Sequence, residues 1–268
     1  MKQLLFILLV FFCLTACEEV IEIDLNESAP KLVIDASVTK NIETNDAVAR
    51  VRLTTTKPFF DNGPTDVNNA SVTITDDNGV VYVLPGSGNG YYGIEPFNVE
   101  PGIAYTLEVI FNGESYIATE MLEPVASLDF VEQRNDGGFS GEDIELKAFF
   151  TDPLNTDNYY FFEGLSERGD FYDTFNDEFF DGNTIFGYYL VEDLSAGDEV
   201  TFYLHGVDAS FYNFMFVLLQ QSSDQSDGPF ETQAATVRGN LVNTTQPDNF
   251  PLGYFRISEV STLTYTVQ

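Results

Sequence analysis

The side chains able to do chemistry in this sequence are few in kind. His205 is the single histidine. A Ser-His-acid triad needs a base of that type, but His205 stands between Leu204 and Gly206 in a strand-like run, with no serine-nucleophile signature near it. It reads as a hydrogen-bonded structural histidine. The two cysteines, Cys13 and Cys17, lie together near the start. One histidine and no later thiol disfavour zinc, copper and haem sites and leave no disulfide or redox pair in the body of the chain. Carboxylates are abundant instead: 43 Asp and Glu against 11 Lys and Arg, a formal charge of −32. Glycoside hydrolysis uses a pair of them, yet no pair stands out by spacing when acids occur almost everywhere.

Acids and rings meet most densely at residues 159–189. There Phe171, Tyr172, Phe175, Phe179 and Phe180 alternate with Asp170, Asp173, Asp177 and Asp181, and Arg168 alone opposes the acids. Three readings stand side by side. In the first, a hairpin turns its rings inward and solvates its acids. In the second, exposed rings form a contact surface that anchors a partner or stacks on a sugar. In the third, Asp170, Asp173, Asp177 and Asp181 hold a hard cation such as calcium, although their offsets do not match an EF-hand loop.

The elements that must position these residues are almost all strands. Between residues 31 and 123, Leu32–Val38 and Ala47–Thr54 alternate apolar and polar residues with period two. Ser71–Thr75 and Val80–Leu84 flank Asn78-Gly79, Tyr91–Ile94 is a short strand, and Asn112-Gly113 joins Tyr105–Phe111 to Tyr116–Thr119. Asn-Gly between alternating runs is a strong hairpin signal. Seven short strands in this span predict an immunoglobulin-like sandwich. Pro124 marks a boundary. Residues 125–268 are expected to form a second sandwich or partly open barrel, with strands at Ser127–Gln133, Ile144–Thr151, Asn158–Gly164, Gly187–Val191, Val200–Leu204, Ala235–Leu241 and Gly253–Val267. One helix is expected near 209–222, with Phe211, Phe214, Met215 and Leu218 on one face and Asp208 or Ser210 as its cap. The fold class is therefore all-β in two domains, with a single helix. The 25 Phe and 14 Tyr supply the core that a chain without disulfides needs.

Lys2, the apolar run Leu4 to Phe12 and small residues before Cys17 make residues 1–16 a secretory signal, too short to span a bilayer. Residues 17–30 alternate acid with aliphatic and read as a tether or an edge strand. Removing residues 1–16 takes away only Lys2 among the charges, leaving 10 basic and 43 acidic residues. Such a balance opposes nucleic-acid binding and contact with anionic lipid through a basic face.

Leu14-Thr15-Ala16-Cys17 resembles the lipobox of bacterial lipoproteins, which implies acylation of Cys17. Further motifs follow in order: Pro30 to Asp35, Ala70 to Asp76, Pro101 to Leu107, Asp152-Pro153 with Asn158-Tyr159-Tyr160, the aromatic helix, Val237 to Leu241 and Leu252 to Phe255. This order resembles a family of Bacteroidota outer-membrane lipoproteins catalogued as a domain of unknown function. Members are commonly encoded beside TonB-dependent receptors. The resemblance implies a lipid-anchored, surface-exposed protein of the outer membrane that serves a TonB-dependent uptake system without being an enzyme, by binding a substrate or capping a receptor. It brings no catalytic residues and no cofactor. A surface adhesin or structural lipoprotein is the alternative, and a carboxylate-based hydrolase the third.

Overall fold

In the computed structural model the described residues are 29–58, 63, 65–138, 141–222 and 236–268. The signal peptide at 1–16, the lipidation site Cys17 and all but the last two residues of the 17–30 tether lie outside them.

The first half folds as its alternation dictates. β1 (Leu32–Asn41), β2 (Ala47–Thr55), β3 (Thr65–Asp66), β6 (Gly86–Gly88) and β7 (Tyr91–Ile94) contribute to one sheet. β4 (Ser71–Asp76), β5 (Val81–Val83), β8 (Ala104–Phe111) and β9 (Glu114–Met121) belong to another. Every second residue of β1 and β2 points between the sheets, and Ile34, Val51, Leu53, Ile74, Leu107 and Val109 are wholly buried there. Asn112 and Gly113 both take positive φ, 52° and 82°, the geometry of a two-residue hairpin turn, and fix the β8–β9 register from Phe111↔Glu114 to Ala104↔Met121.

The second half is also a sandwich. β10 (Leu128–Gly137), β11 (Asp143–Thr151) and β14 (Thr184–Tyr189) form a three-stranded sheet. It faces β12 (Tyr159–Ser166), β13 (Gly169–Asn176) and β15 (Glu199–Val207), which continue the large sheet of the first half. Here the wholly buried side chains are mostly rings: Phe150, Tyr160, Phe162, Tyr189 and Phe202. The two sheets approach so closely that a methyl on Gly164 would strike the Tyr189 ring and one on Gly187 the Phe162 ring.

β17 (Leu252–Thr266) binds the halves together. It runs parallel to β1 from Val33↔Leu252 to Asn41↔Val260, and antiparallel to β15 from His205↔Val260 to Glu199↔Thr266. The expected division at residues 123–125 separates two cores along most of the chain, but the C-terminal segment crosses back. Leu241, Phe255 and Ile257 lie in the first core, whereas Leu263 and Val267 pack in the second.

The expected strand at Ala235–Leu241 is not formed in its described part. Residues 236–241 lack regular structure, and pairing is confined to β16 (Val242–Asn243) against β9. Asn240 explains this: its side chain exchanges hydrogen bonds with the backbone of Phe255, donating at 2.8 Å and accepting at 3.0 Å, in place of a ladder.

The helix, α1 (Ala209–Ser222), lies on the outer face of the large sheet. Asp208 is its cap, accepting from the Phe211 N–H at 2.7 Å. Phe211 is buried against Phe161, Val207 and Tyr254, with Phe214 and Met215 beside it. Leu218 departs from the expected face and is exposed, because the packed stripe ends one turn earlier. Among the described residues no helix is long and apolar enough to cross a membrane.

Candidate functional site

Where β11 ends, the chain turns at Asp152-Pro153 toward β12, and where β13 ends it turns through residues 177–183 toward β14. Pairing of β11 with β14, up to Thr151↔Thr184, brings these turns side by side. The result is a cradle of three aspartates. One oxygen from each of Asp152, Asp177 and Asp181 lies within 4.8 Å of the others. Asp152 and Asp177 are buried and Asp181 is exposed.

Their hydrogen bonds come from neutral donors. Asp152 accepts from the Tyr160 hydroxyl at 2.6 Å and the Gly182 N–H at 3.0 Å. Asp177 accepts from the Asn158 N–H at 2.8 Å, and Asp181 from the Asn155 N–H at 2.7 Å. The salt bridges of this half tie Arg134 to Asp136, Lys147 to Glu145 and Arg168 to Asp198 instead. Two ionised carboxylates at this separation repel by about 3–4 kcal/mol at an effective dielectric near 20. Burial and then the bond to Asp152 push the Tyr160 hydroxyl well above its ordinary range.

The acids expected to act together are thus divided. Asp177 and Asp181 enter the cradle. Asp170 lies exposed on β13, where it accepts from the Tyr172 hydroxyl at 3.2 Å. Asp173 is half-buried and raised by that burial. The reason is the pleat: residues spaced along a strand cannot converge on one point. Asp152 and Asn158 were not singled out as ligands from the sequence, where they enter only as part of a family motif, and the convergence of Asp152 with Asp177 depends on pairing between distant strands.

The rings divide as well. Phe175 packs among Phe150, Tyr160 and Phe162 and Phe171 flanks the same core, so both are half-buried and turn part of their rings inward. Tyr172 is exposed and stacks on Phe161 at 6.2 Å. Phe180 is half-buried. Phe179 is 88% exposed at the tip of the 177–183 turn, and Leu154, 66% exposed, tips the facing turn. A second apolar surface was not anticipated from the sequence. Phe130, Phe149 and Phe186 stand in register across β10, β11 and β14, with ring centroids 4.7 Å and 5.2 Å apart. They occupy the outer face of the three-stranded sheet, and Phe130 and Phe186 are exposed.

His205 is structural, as its setting suggests. It is buried on the outer face of the large sheet, with its Nδ1 3.2 Å from Arg256 Nη1 and its Nε2 2.7 Å from Glu163 Oε2. Arginine only donates, so Nδ1 accepts and Nε2 carries the proton given to Glu163. Burial and the adjacent Arg256 charge bring its pKa down to about 4. Burial raises Glu163, but the His205 bond and the Arg256 charge outweigh it and hold that carboxyl below its usual value.

A further acid pair sits at the junction of the halves. Burial, then the charge of Asp208, outweighs the Asn240 bond and pushes Glu120 up to about 7. Its carboxyl accepts from Asn240 at 2.6 Å, and Asp208, whose charge adds to the shift, caps α1. Asp208 and Glu123 line a recess of about 230 Å³.

Among solved structures, a two-domain fibronectin type III segment from chicken tenascin is similar at 13% identity, covering 67% of this chain and 91% of that one with a TM-score of 0.21. No curated protein matches. The model of a domain of unknown function, DUF4249, matches residues 18–264, and on that near-complete span the chain belongs to the DUF4249 family.

Proposed function

We propose that this chain is a non-enzymatic lipoprotein of the outer membrane, held by an acylated Cys17, that docks through the outer face of its second sandwich onto the receptor of a TonB-dependent uptake system. The observation that supports the docking surface is the contiguous row Phe130–Phe149–Phe186 on the solvent side of a sheet, its first pair stacked and its second tilted. Rings in such a position gain their free energy by burial, and aromatic residues dominate the energetics of contact surfaces. The lipobox, and the company that members of the resembling family keep, supply the anchor and the partner.

A pull-down from mild detergent through a C-terminal tag tests this. Wild type is expected to bring down one large β-barrel protein. Phe130→Ser with Phe186→Ser is expected to leave the melting temperature unchanged and weaken capture by about tenfold or more. Capture undiminished by the double variant sinks the docking surface. Equal fatty-acid labelling of wild type and Cys17→Ser sinks the anchor.

A carboxylate-based hydrolase is the second reading, and the raised Glu120 is the observation on its side. Against it, both acids are engaged by structural partners: Glu120 accepts from the Asn240 amide, and Asp208 caps α1.

A further inference from the structure

We propose that Asp152, Asp177, Asp181 and Asn158 form a calcium site that ties the 153–157 turn to the 177–183 turn. The carboxylates alone would be only an acidic cluster. The independent observation is Asn158: its residue is 9% exposed, and its Oδ1 is buried with no hydrogen-bond partner. A buried amide oxygen left without a donor is costly, and a cation supplies what it lacks.

The backbone says which side of β12 the Asn158 side chain takes. Asn158 extends the β12–β13 ladder by one rung beyond Tyr159↔Asn176, since the Asp177 N–H donates to the Asn158 carbonyl at 3.2 Å. Alternation puts Asn158 on the same side as Tyr160, and the Tyr160 hydroxyl lies on Asp152. The Asn158 side chain and the Tyr160 hydroxyl that meets Asp152 thus lie on one side of β12, and the Asn158 backbone is bonded to Asp177 in both directions. Asp177 Oδ1 and Asp181 Oδ2 are not used by the backbone N–H bonds, which go to the other oxygen of each group.

The donor set selects the ion. Four oxygens and no nitrogen or sulfur favour a hard cation over zinc or copper. Ligands drawn from two turns and a strand end suit the adaptable coordination of calcium better than the strict octahedron of magnesium. Bound there, calcium neutralises the mutual repulsion of the carboxylates and fixes Leu154 and Phe179 at the tips of the two turns. The site stands whether or not those tips meet a partner.

The test uses the full chain in mild detergent, stripped with a chelator, with terbium as the probe. Excitation of tyrosine is expected to sensitise terbium at one site, because Tyr160 touches Asp152. Calcium should displace the terbium with a midpoint at or below about 1 mM, the range of extracellular modules, and magnesium at the same concentration should not. Asp181→Asn, at an exposed position, and Asn158→Ala should each weaken binding about tenfold or more while far-ultraviolet circular dichroism is unchanged. Asp170→Asn and Asp173→Asn should leave it intact. Absence of saturable, calcium-displaced terbium emission overturns the site, as does emission lost in Asp170→Asn or Asp173→Asn but kept in Asp181→Asn.

Discussion

The two sandwiches solve the same packing problem with different materials. The first fills the space between its sheets mainly with aliphatic side chains such as Ile34, Val51, Leu53, Ile74 and Leu107, and sets Tyr92, Phe97, Tyr105, Tyr116 and Phe255 among them. The second, smaller core gives rings a larger share: Phe150, Tyr160, Phe162, Tyr189 and Phe202 pack beside Leu146, Val200 and Leu204, and glycines stand opposite two of those rings. Aliphatic cores absorb small changes of volume. An aromatic core of flat, rigid rings has fewer ways to relax, so shape rather than total apolar volume limits it. The second sandwich also carries the acid cradle, the buried histidine and the exposed phenylalanine row.

Three measurements would sharpen or break this comparison. Phe162→Ala and Phe202→Ala should cost about 3–5 kcal/mol each in chemical denaturation, whereas Ile34→Val in the first core should cost about 1 kcal/mol. A loss under about 1 kcal/mol in Phe162→Ala or Phe202→Ala would show that these rings do not carry the second core. Next in size, Gly164→Ala and Gly187→Ala should each cost about 1–3 kcal/mol, because the added methyl meets a ring face. Gly86→Ala, on an exposed edge of the first half beside Tyr92, should cost under about 1 kcal/mol.

The smallest effect is a pair of opposite pH slopes, each at most about 1.4 kcal/mol per pH unit. His205 is near 4 when folded and 6.5 when free. Its stabilisation is complete above pH 6.5 and is lost as pH falls toward 4. Glu120 is raised from 4.5 to about 7, so its stabilisation is complete below pH 4.5 and is lost as pH rises through 7. His205→Gln should flatten the acid limb of a melting-temperature profile, and Glu120→Gln the alkaline limb. A profile unchanged by both would show that neither group is linked to folding.

Much of the architecture was legible because strand alternation and Asn-Gly turns are local signals. Leu32–Val38, Ser71–Thr75 and the Asn112-Gly113 hairpin needed nothing from elsewhere in the chain. What escaped depends on distant pairing. The acids at 170–181 are neighbours in sequence, yet the pleat sends Asp170 and Asp173 away while β11–β14 pairing delivers Asp152 to Asp177. Phe130, Phe149 and Phe186 come from three strands, and no window of sequence contains them together. Alternation at 253–267 predicted a strand but not its two sets of partners. At 236–241 a composition suited to a strand lost to one side chain, Asn240, which satisfies the Phe255 backbone itself.

The shared strand also sets a load path. Residue 30 precedes β1, and a pull applied there draws β1 toward its Leu32 end. The opposing pull, from anything held by the second sandwich, reaches β17 through Thr266 and draws it the other way. Because β1 and β17 are parallel, the two forces act along the ladder and in opposite senses. Every rung from Val33–Leu252 to Asn41–Val260 is then loaded at once rather than one after another. Tension between the N-terminus and the second sandwich therefore meets the chain in shear, the direction in which a β-ladder yields last.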